Sequence, residues 1–273
     1  MLFLLGLILA LWAFVWEPSR LTVHPQTISL ERWPPQLNGL KITAISDLHI
    51  GANFMTLDKL GEVVERCNQQ QADLIILLGD YVTNDHDSGE AVIAPELFAT
   101  TLQKLRAPQG VFAVLGNHDW WFSGAKTRRA IENAGIRVLE NEAVQLKYRG
   151  HPYWLAGIGD HFTKHHNVPG TLAAVTDDAP VIALTHSPDL FPELPDRIVL
   201  TLAGHTHGGQ VNLPVLGRRV VPSRYGDRYA IGLVYEAGHS LFVTPGIGTS
   251  ILPVRFRVPP EISVLTLSGR ADK

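Results

Sequence analysis

Five short apolar runs in this chain break off at the same kind of residue, and that repetition restricts the fold more than any other feature of the sequence. "LKITAISDLH", "ADLIILLGD", "GVFAVLGNHD", "PVIALTHSPD" and "IVLTLAGHTH" are rich in β-branched side chains and stop at Asp, Asn or His. Runs this short and this apolar read as strands buried on both faces. The sequence between them is helical in pattern. Leu57, Leu60, Val63, Val64 and Cys67 recur at the spacing of one helix face. "PELFATTLQKL" fills the next gap and "SGAKTRRAIENAG" the one after, with Ser123 as N-cap and Gly135 as C-terminal stop. Strand and helix in alternation predict an α/β fold whose strands share one polar end, where such sheets collect ligands.

The stops are Asp47, His49, Asp80, Asn117, His118, Asp119, His186, His205 and His207. Polar loops account for any one of them, but not for a whole set of metal-competent or acid–base side chains with almost no Ser, Lys or Glu beside them. No Gly-x-Ser-x-Gly elbow and no glycine-rich phosphate loop occurs, which argues against a serine hydrolase and a nucleotide-loop enzyme. Cys67 is the one cysteine, so no internal disulfide or thiolate cluster can form and any metal must use nitrogen and oxygen ligands. Its helical spacing places it in the core. A formal charge of −3 offers no basic surface, so nucleic acid is not a default partner, and no protein partner is identifiable. No linker or repeat interrupts the chain after residue 40.

The N-terminus differs. Leu2 to Trp16 is uninterrupted apolar sequence with Gly6 as its weak point. As a helix it is about 22 Å long, short of the roughly 30 Å of a bilayer's hydrocarbon core. It lacks the cationic start and small-residue cleavage site of a secretory signal. A short membrane anchor, a signal sequence and a segment buried against the protein itself all stay open. Arg20 and Arg32 follow the segment and favour a cytoplasmic catalytic domain. The segment carries no candidate ligand, so the chain divides into residues 1–20 and a catalytic domain of residues 21–273, and removal of the first is expected to spare the second.

In order, "DLH", "GD", "GNHD", "TH" and "GHTH" resemble the motifs of the calcineurin-like metallophosphoesterases, over about residues 40 to 268. "SDLH", "GNHDWW", "AGHTHGGQ", "GIGTSILPVRF" and "PPEI" look most similar to the family's bacterial membrane-associated branch. That branch includes phosphodiesterases and enzymes resembling the lipid A pathway hydrolase that cleaves UDP-diacylglucosamine. The resemblance implies a four-layer α/β sandwich, two mixed β-sheets packed face to face and flanked by helices. It also implies a two-metal hydrolase of phosphodiester or pyrophosphate bonds, with a metal-bridging hydroxide as nucleophile. Asp47, His49 and His207 are thereby assigned to one ion and Asn117, His186 and His205 to the other, with Asp80 bridging both. His118 is the candidate for protonating the leaving oxygen and Asp119 for orienting or electrostatically supporting that imidazole. Such ligands suit two divalent ions, Mn first and Fe or Zn as alternatives. The glycines at 204, 208 and 209 give the backbone room to send the two imidazoles of "GHTH" in opposite directions.

The expected substrate is a phosphoester, an amphiphilic one such as UDP-diacylglucosamine if residues 1–20 hold the chain to the bacterial inner membrane. A broad phosphomonoesterase is the alternative enzyme. A non-catalytic metal-binding scaffold is the alternative of another class, and the complete ligand set weighs against it. One departure stands out: many family members have Gly-Asp-x-x-Asp, whereas "GDYVTND" has Thr83, with Asn84 or Asp85 as the nearest substitutes. Weaker signals are "GDHFTKHHN" (Asp160, His161, His165, His166), a substrate mouth or a solvated loop, and Trp120 and Trp121, substrate contacts or local packing. Arg218, Arg219, Arg224 and Arg228 read as a phosphate clamp, a lipid contact or an ordinary exposed face.

Overall fold

The computed structural model describes residues 2–84 and 91–270; Asp85 lies outside the described residues. One sheet runs β1 (Thr22–Leu30), β14 (Glu261–Gly269), β2 (Lys41–Ile45), β3 (Leu74–Leu77), β4 (Val111–Ala113), β5 (Arg137–Val138). The other runs β12 (Gly232–Glu236), β13 (His239–Val243), β9 (Ile198–Ala203), β8 (Val181–Leu184), β7 (His151–Gly157), β6 (Glu142–Tyr148). A short hairpin, β10 (Asn212–Leu213) and β11 (Gly217–Arg218), stands apart. Both sheets are mixed: β2 to β5 are parallel with β14 antiparallel to β2, and β7, β8, β9 and β13 are parallel between antiparallel edges β6 and β12.

Helices α1 (Leu2–Leu11) and α2 (Glu17–Ser19) open the chain, joined by a wider turn at Trp12–Trp16. Helices α3 (Leu57–Gln69), α4 (Pro95–Leu102) and α5 (Asn117–Asn133) cover the first sheet. The two-residue period of the strands sorts their side chains. Ile42, Ala44, Leu74 and Ile76 face the second sheet and meet Leu155, Ile182, Leu184, Leu200 and Leu202. Ile45, Ile75 and Leu77 face the helices and pack with Leu60, Val64, Cys67 and Phe98. Strands buried on both faces have no polar alternation to keep, which is why they read as unbroken apolar runs. The outer cover of the second sheet is thinner: α6 (Val168–Leu172) and two short turns that bring Phe191 and Tyr229 onto Trp154 and Leu241.

Ser123 leaves the helical conformation (φ −176°) and divides α5, and its Oγ accepts the Lys126 N–H at 3.4 Å, so the cap expected there sits inside a longer helical stretch that starts at Asn117. Gly135, at φ +78°, ends the stretch.

The N-terminal segment is divided in its packing. Residues 3–11 of α1 are exposed on every side, whereas Ala13, Glu17 and Pro18 are buried. The Ala13 carbonyl accepts the Arg255 backbone N–H at 2.9 Å, and Glu17 Oε1 accepts that of Val258 at 2.6 Å. The contact with the domain therefore begins near residue 13, inside the stretch the sequence sets apart as residues 1–20. Among the described residues no helix is long and apolar enough to cross a membrane.

Candidate metal centre

The turns leaving β2, β3 and β9 bring their polar stops together in an unusual backbone state. Asp47 (φ +51°), His49 (+42°), Asp80 (+56°), His205 (+69°) and His207 (+51°) all lie in the left-handed region. Each such residue costs about 1–3 kcal/mol and persists only where its surroundings fix it. Here the turns fix one another: Asp47 N–H donates to the Gly79 carbonyl at 2.9 Å and His49 N–H to that of Asp80 at 3.0 Å. The rings of "GHTH" thus diverge through the histidines' own backbone as well as through the flanking glycines. Gly204 answers to a different need, because a Cβ there would lie 2.5 Å from Ser46 Oγ and 2.7 Å from Asp47 Oδ2.

Two groups of ligand atoms result, sharing one oxygen. In the first, His207 Nε2 lies 3.4 Å from Asp47 Oδ1 and 3.2 Å from His49 Nε2. In the second, His186 Nε2 lies 3.1 Å from His205 Nδ1. Asp80 Oδ2 stands 3.7 Å from His49 Nε2 and 3.2 Å from His186 Nε2, so it belongs to both. Its other oxygen accepts the His118 N–H at 2.9 Å, which orients the carboxylate. Asn117 sits on the same turn, buried, with Oδ1 in no hydrogen bond, and Asp47 Oδ1 is likewise buried and unpartnered. Buried polar atoms normally find partners. Oxygen and imidazole lone pairs converging without them fit divalent cations.

The electrostatics agree with that donor set. Burial pushes His49 down to about 3 and His205 to about 4, leaving neutral imidazoles with free lone pairs at neutral pH. Burial alone would raise the Asp80 carboxyl, but His186 and His118 outweigh it and hold Asp80 well below the usual carboxylate range. His186 is pulled well above its ordinary value by Asp80, against its own burial. Its Nδ1 lies 2.6 Å from the Leu78 carbonyl, so Nδ1–H donates there and Nε2 is the atom turned to the cluster.

His118 lies beside the first group, its ring centre 4.7 Å from that of His49, and it also clusters with His49 and Asp80 at ligand distance, with Nδ1 buried and unpartnered. Asp119 is placed differently from expectation. Instead of hydrogen-bonding to the His118 ring, its two oxygens accept the backbone N–H groups of Asp80, Tyr81, Val82 and Gly116 at 2.8–3.2 Å. Adjacent side chains on a helical turn point apart, and Asp119 faces inward, where it clamps the metal-bearing turn. At the departure from the family pattern, Thr83 Oγ1 and Asn84 Oδ1 are buried without partners and replace none of these bonds.

The weaker signals separate. Asp160 is buried and builds its own loop, accepting both Thr163 N–H and O–H at 2.7 Å. Trp120 stacks on His165 at 3.6 Å, whereas Trp121 is exposed and edges His118 and Phe162 above the centre. His161, His166 and Glu193 also cluster. Arg224 donates to His161 Nε2, which leaves the proton on Nδ1 and makes that ring a poor ligand. Of the four arginines, Arg224 is held by Asp189, Arg228 by Glu236, and Arg218 by the Gly208 carbonyl. Two contributors carry no spacing signal in the sequence: Ser46, which donates to Asp47 Oδ2, and Arg255, fully buried, which donates to the Gly248 carbonyl while Gly248 N–H donates to that of Asp47.

Comparison with known proteins gives the same picture. The chain is 33% identical over 258 residues to the uncharacterized metallophosphoesterase YkuE of Bacillus subtilis, covering 93% of this chain and 87% of that one. It is 31% identical over 231 residues to the phosphodiesterase YaeI of Escherichia coli, covering 83% and 82%. Among solved structures, the NAD nucleotidase of Haemophilus influenzae superposes with a TM-score of 0.51 at 14% identity, over 77% of this chain and 45% of that longer one, a likeness of fold alone. Residues 40–209 match the calcineurin-like phosphoesterase model, and with two mixed sheets carrying His and Asp clusters at one end, the chain belongs to that family.

Proposed function

We propose that this enzyme hydrolyses phosphodiester or pyrophosphate bonds with two divalent ions, Mn²⁺ first among them, and that its substrate is amphiphilic, a lipid-linked nucleotide such as UDP-diacylglucosamine. The observation that carries the two-ion reading is Asp80 Oδ2, common to two separate sets of buried nitrogen and oxygen ligands. Asp47, His49 and His207 would hold one ion, Asn117, His186 and His205 the other. Ions so held supply a water of lowered pKa and offset the charge of the phosphate oxygens. The chain's own residues do the rest. His118, beside His49 and Asp80, is the proton donor to the leaving oxygen. Asp119 keeps the Asp80 turn in its strained geometry, and Trp121 offers an exposed aromatic face at the mouth.

Similarity to a relative named phosphodiesterase supports diester over monoester chemistry. The exposed apolar α1, joined to the domain at its metal-bearing end, supports an amphiphilic substrate and a membrane-associated, cytoplasm-facing enzyme. The test is chelation followed by Mn²⁺ return, with turnover measured on bis-nitrophenyl phosphate, nitrophenyl phosphate and UDP-diacylglucosamine in mixed micelles. Loss and recovery on the diester or the pyrophosphate is expected. Full activity in thoroughly chelated protein would overturn the reading, and a marked preference for the monoester would favour the phosphomonoesterase.

A further inference from the structure

We propose that two loops at the rim of the metal centre, residues 210–220 and 249–257, form a docking face for an anionic bilayer, which with α1 seats the mouth of the site on the membrane. The loops continue directly from the site. The first follows His207 and Gly209 and carries Pro214, Val215 and Leu216 at the tip of the β10–β11 hairpin. The second follows Gly248, which donates to the Asp47 carbonyl at 2.7 Å. They are bonded to each other: Ser250 N–H donates to Gln210 Oε1 at 2.7 Å, Gln210 Nε2–H to the Leu252 carbonyl at 3.2 Å, and Asn212 N–H to that of Phe256 at 2.9 Å. Through Arg255 and Ala13 the second loop is also joined to the base of α1.

Three observations point to lipid. First, Val215, Leu216, Val220, Ile251 and Leu252 are all exposed, Ile251 at 91%. Single exposed apolar side chains are ordinary, but apolar tips on neighbouring, mutually bonded loops are not. Second, Val215 (φ +69°) and Ile251 (φ +64°) are β-branched residues held in the left-handed region, an outlier for such side chains. Strain that holds an apolar side chain in water opposes folding stability and makes sense where the tip meets a surface. Third, residues 210–225 and 244–258 contain no Asp or Glu, although the chain's net charge is −3. Arg219 and Arg257 are exposed there, with no ionic partner among the described residues. An apolar tip with cationic flanks matches anionic headgroups over acyl chains.

α1 selects a bilayer over a protein groove as the occupant. Phe3, Leu4, Leu5, Leu7, Ile8, Leu9 and Leu11 are exposed all around it, so it has no polar face to leave uncovered. Its ten residues span about 15 Å, one leaflet. The docking stands apart from the identity of the substrate; only its use, to present headgroups to the metal centre, rests on the function proposed above.

Full-length protein labelled with bimane at Val215→Cys, Ile251→Cys or His151→Cys tests this, His151 lying at the opposite end of the sandwich as the first residue of β7. Native Cys67 is buried, its thiol pushed up by that burial, and stays unlabelled. On vesicles of 70% phosphatidylcholine and 30% phosphatidylglycerol, emission at 215 and 251 is expected to shift blue and be quenched by brominated lipid, with no change at 151. Arg219→Glu with Arg257→Glu should weaken vesicle binding at least about tenfold and leave turnover of a soluble diester unchanged. Overturning results are rim labels that still report water while the protein floats with the vesicles, absence of vesicle binding, or rim labels shielded in solution by a second copy with doubled mass.

Discussion

Asp119 accepts the backbone N–H of Asp80 at 2.9 Å, so one carboxylate holds the turn that carries another. Four N–H donors on one buried side chain fix the left-handed Asp80 and place its Oδ2 between two sets of ligands.

Replacing Asp119 by Asn should therefore weaken both metals together. The amide keeps one acceptor and turns an NH₂ toward the remaining donors, a loss of roughly 2–4 kcal/mol in a buried network. Calorimetry should show weaker Mn²⁺ binding and a lower Tm. The alternative role, orienting His118, predicts a shifted pH–rate profile at normal metal affinity.

His118→Ala should keep both ions, although the ring clusters with His49 and Asp80, because each ion keeps its other ligands and the backbone N–H to Asp80 survives the change. Loss of a general acid typically costs about 10²–10⁴ in kcat, with less loss on a nitrophenyl ester whose leaving group needs no proton. Metal content by mass spectrometry together with kcat on two leaving groups decides it. A variant that loses its ions would make His118 a ligand.

Metal uptake should release a proton from His186. Its pKa is raised by Asp80 against the burial that lowers it, which favours the protonated ring when no metal is bound, and ligation through Nε2 requires the neutral form. The sign follows: affinity falls as pH falls, by up to about tenfold per unit for one displaced proton. Titrations between pH 6 and 8 in buffers of different ionisation enthalpy read the released proton directly. Affinity independent of pH would mean that His186 is already neutral.

Two truncations should differ sharply. Removing residues 2–11 takes away only exposed α1 and should leave Tm and soluble-diester turnover intact. Removing residues 2–20 also deletes the Ala13 carbonyl and the Glu17 carboxylate, stranding the buried N–H groups of Arg255 and Val258 beside the Asp47 loop. Each such loss costs about 1–3 kcal/mol, so Tm should drop by several degrees and turnover with it. Equal behaviour of the two would show the Glu17 contact to be dispensable.

Five of the buried strands, β2, β3, β4, β8 and β9, and the chemistry at their ends are legible in the sequence; the other strands and the order in which they pair are not. Runs such as "LIILLGD" are legible because a strand buried on both faces must be apolar throughout and can turn polar only where it leaves the sheet. The family motifs then pair His205 with one ligand set and His207 with the other, and the structure brings these residues to the same two places. Asp119 shows the limit of that reading. Adjacency to His118 suggested a partnership, but which way a side chain points is set by the packing of α5 against the Asp80 turn, and that depends on residues far apart in sequence. The N-terminal segment shows the same limit. Its hydropathy is uniform through Trp16, yet α1 lies in solvent and Ala13 is buried, because only the latter meets the 245–258 loop. Left-handed backbone at five ligand positions is only weakly signalled by residue type: Asp and His adopt it more readily than most side chains, but that does not mark these positions out. It is imposed by turns bonded to one another across the sheet end, an arrangement that exists only once the tertiary structure has formed.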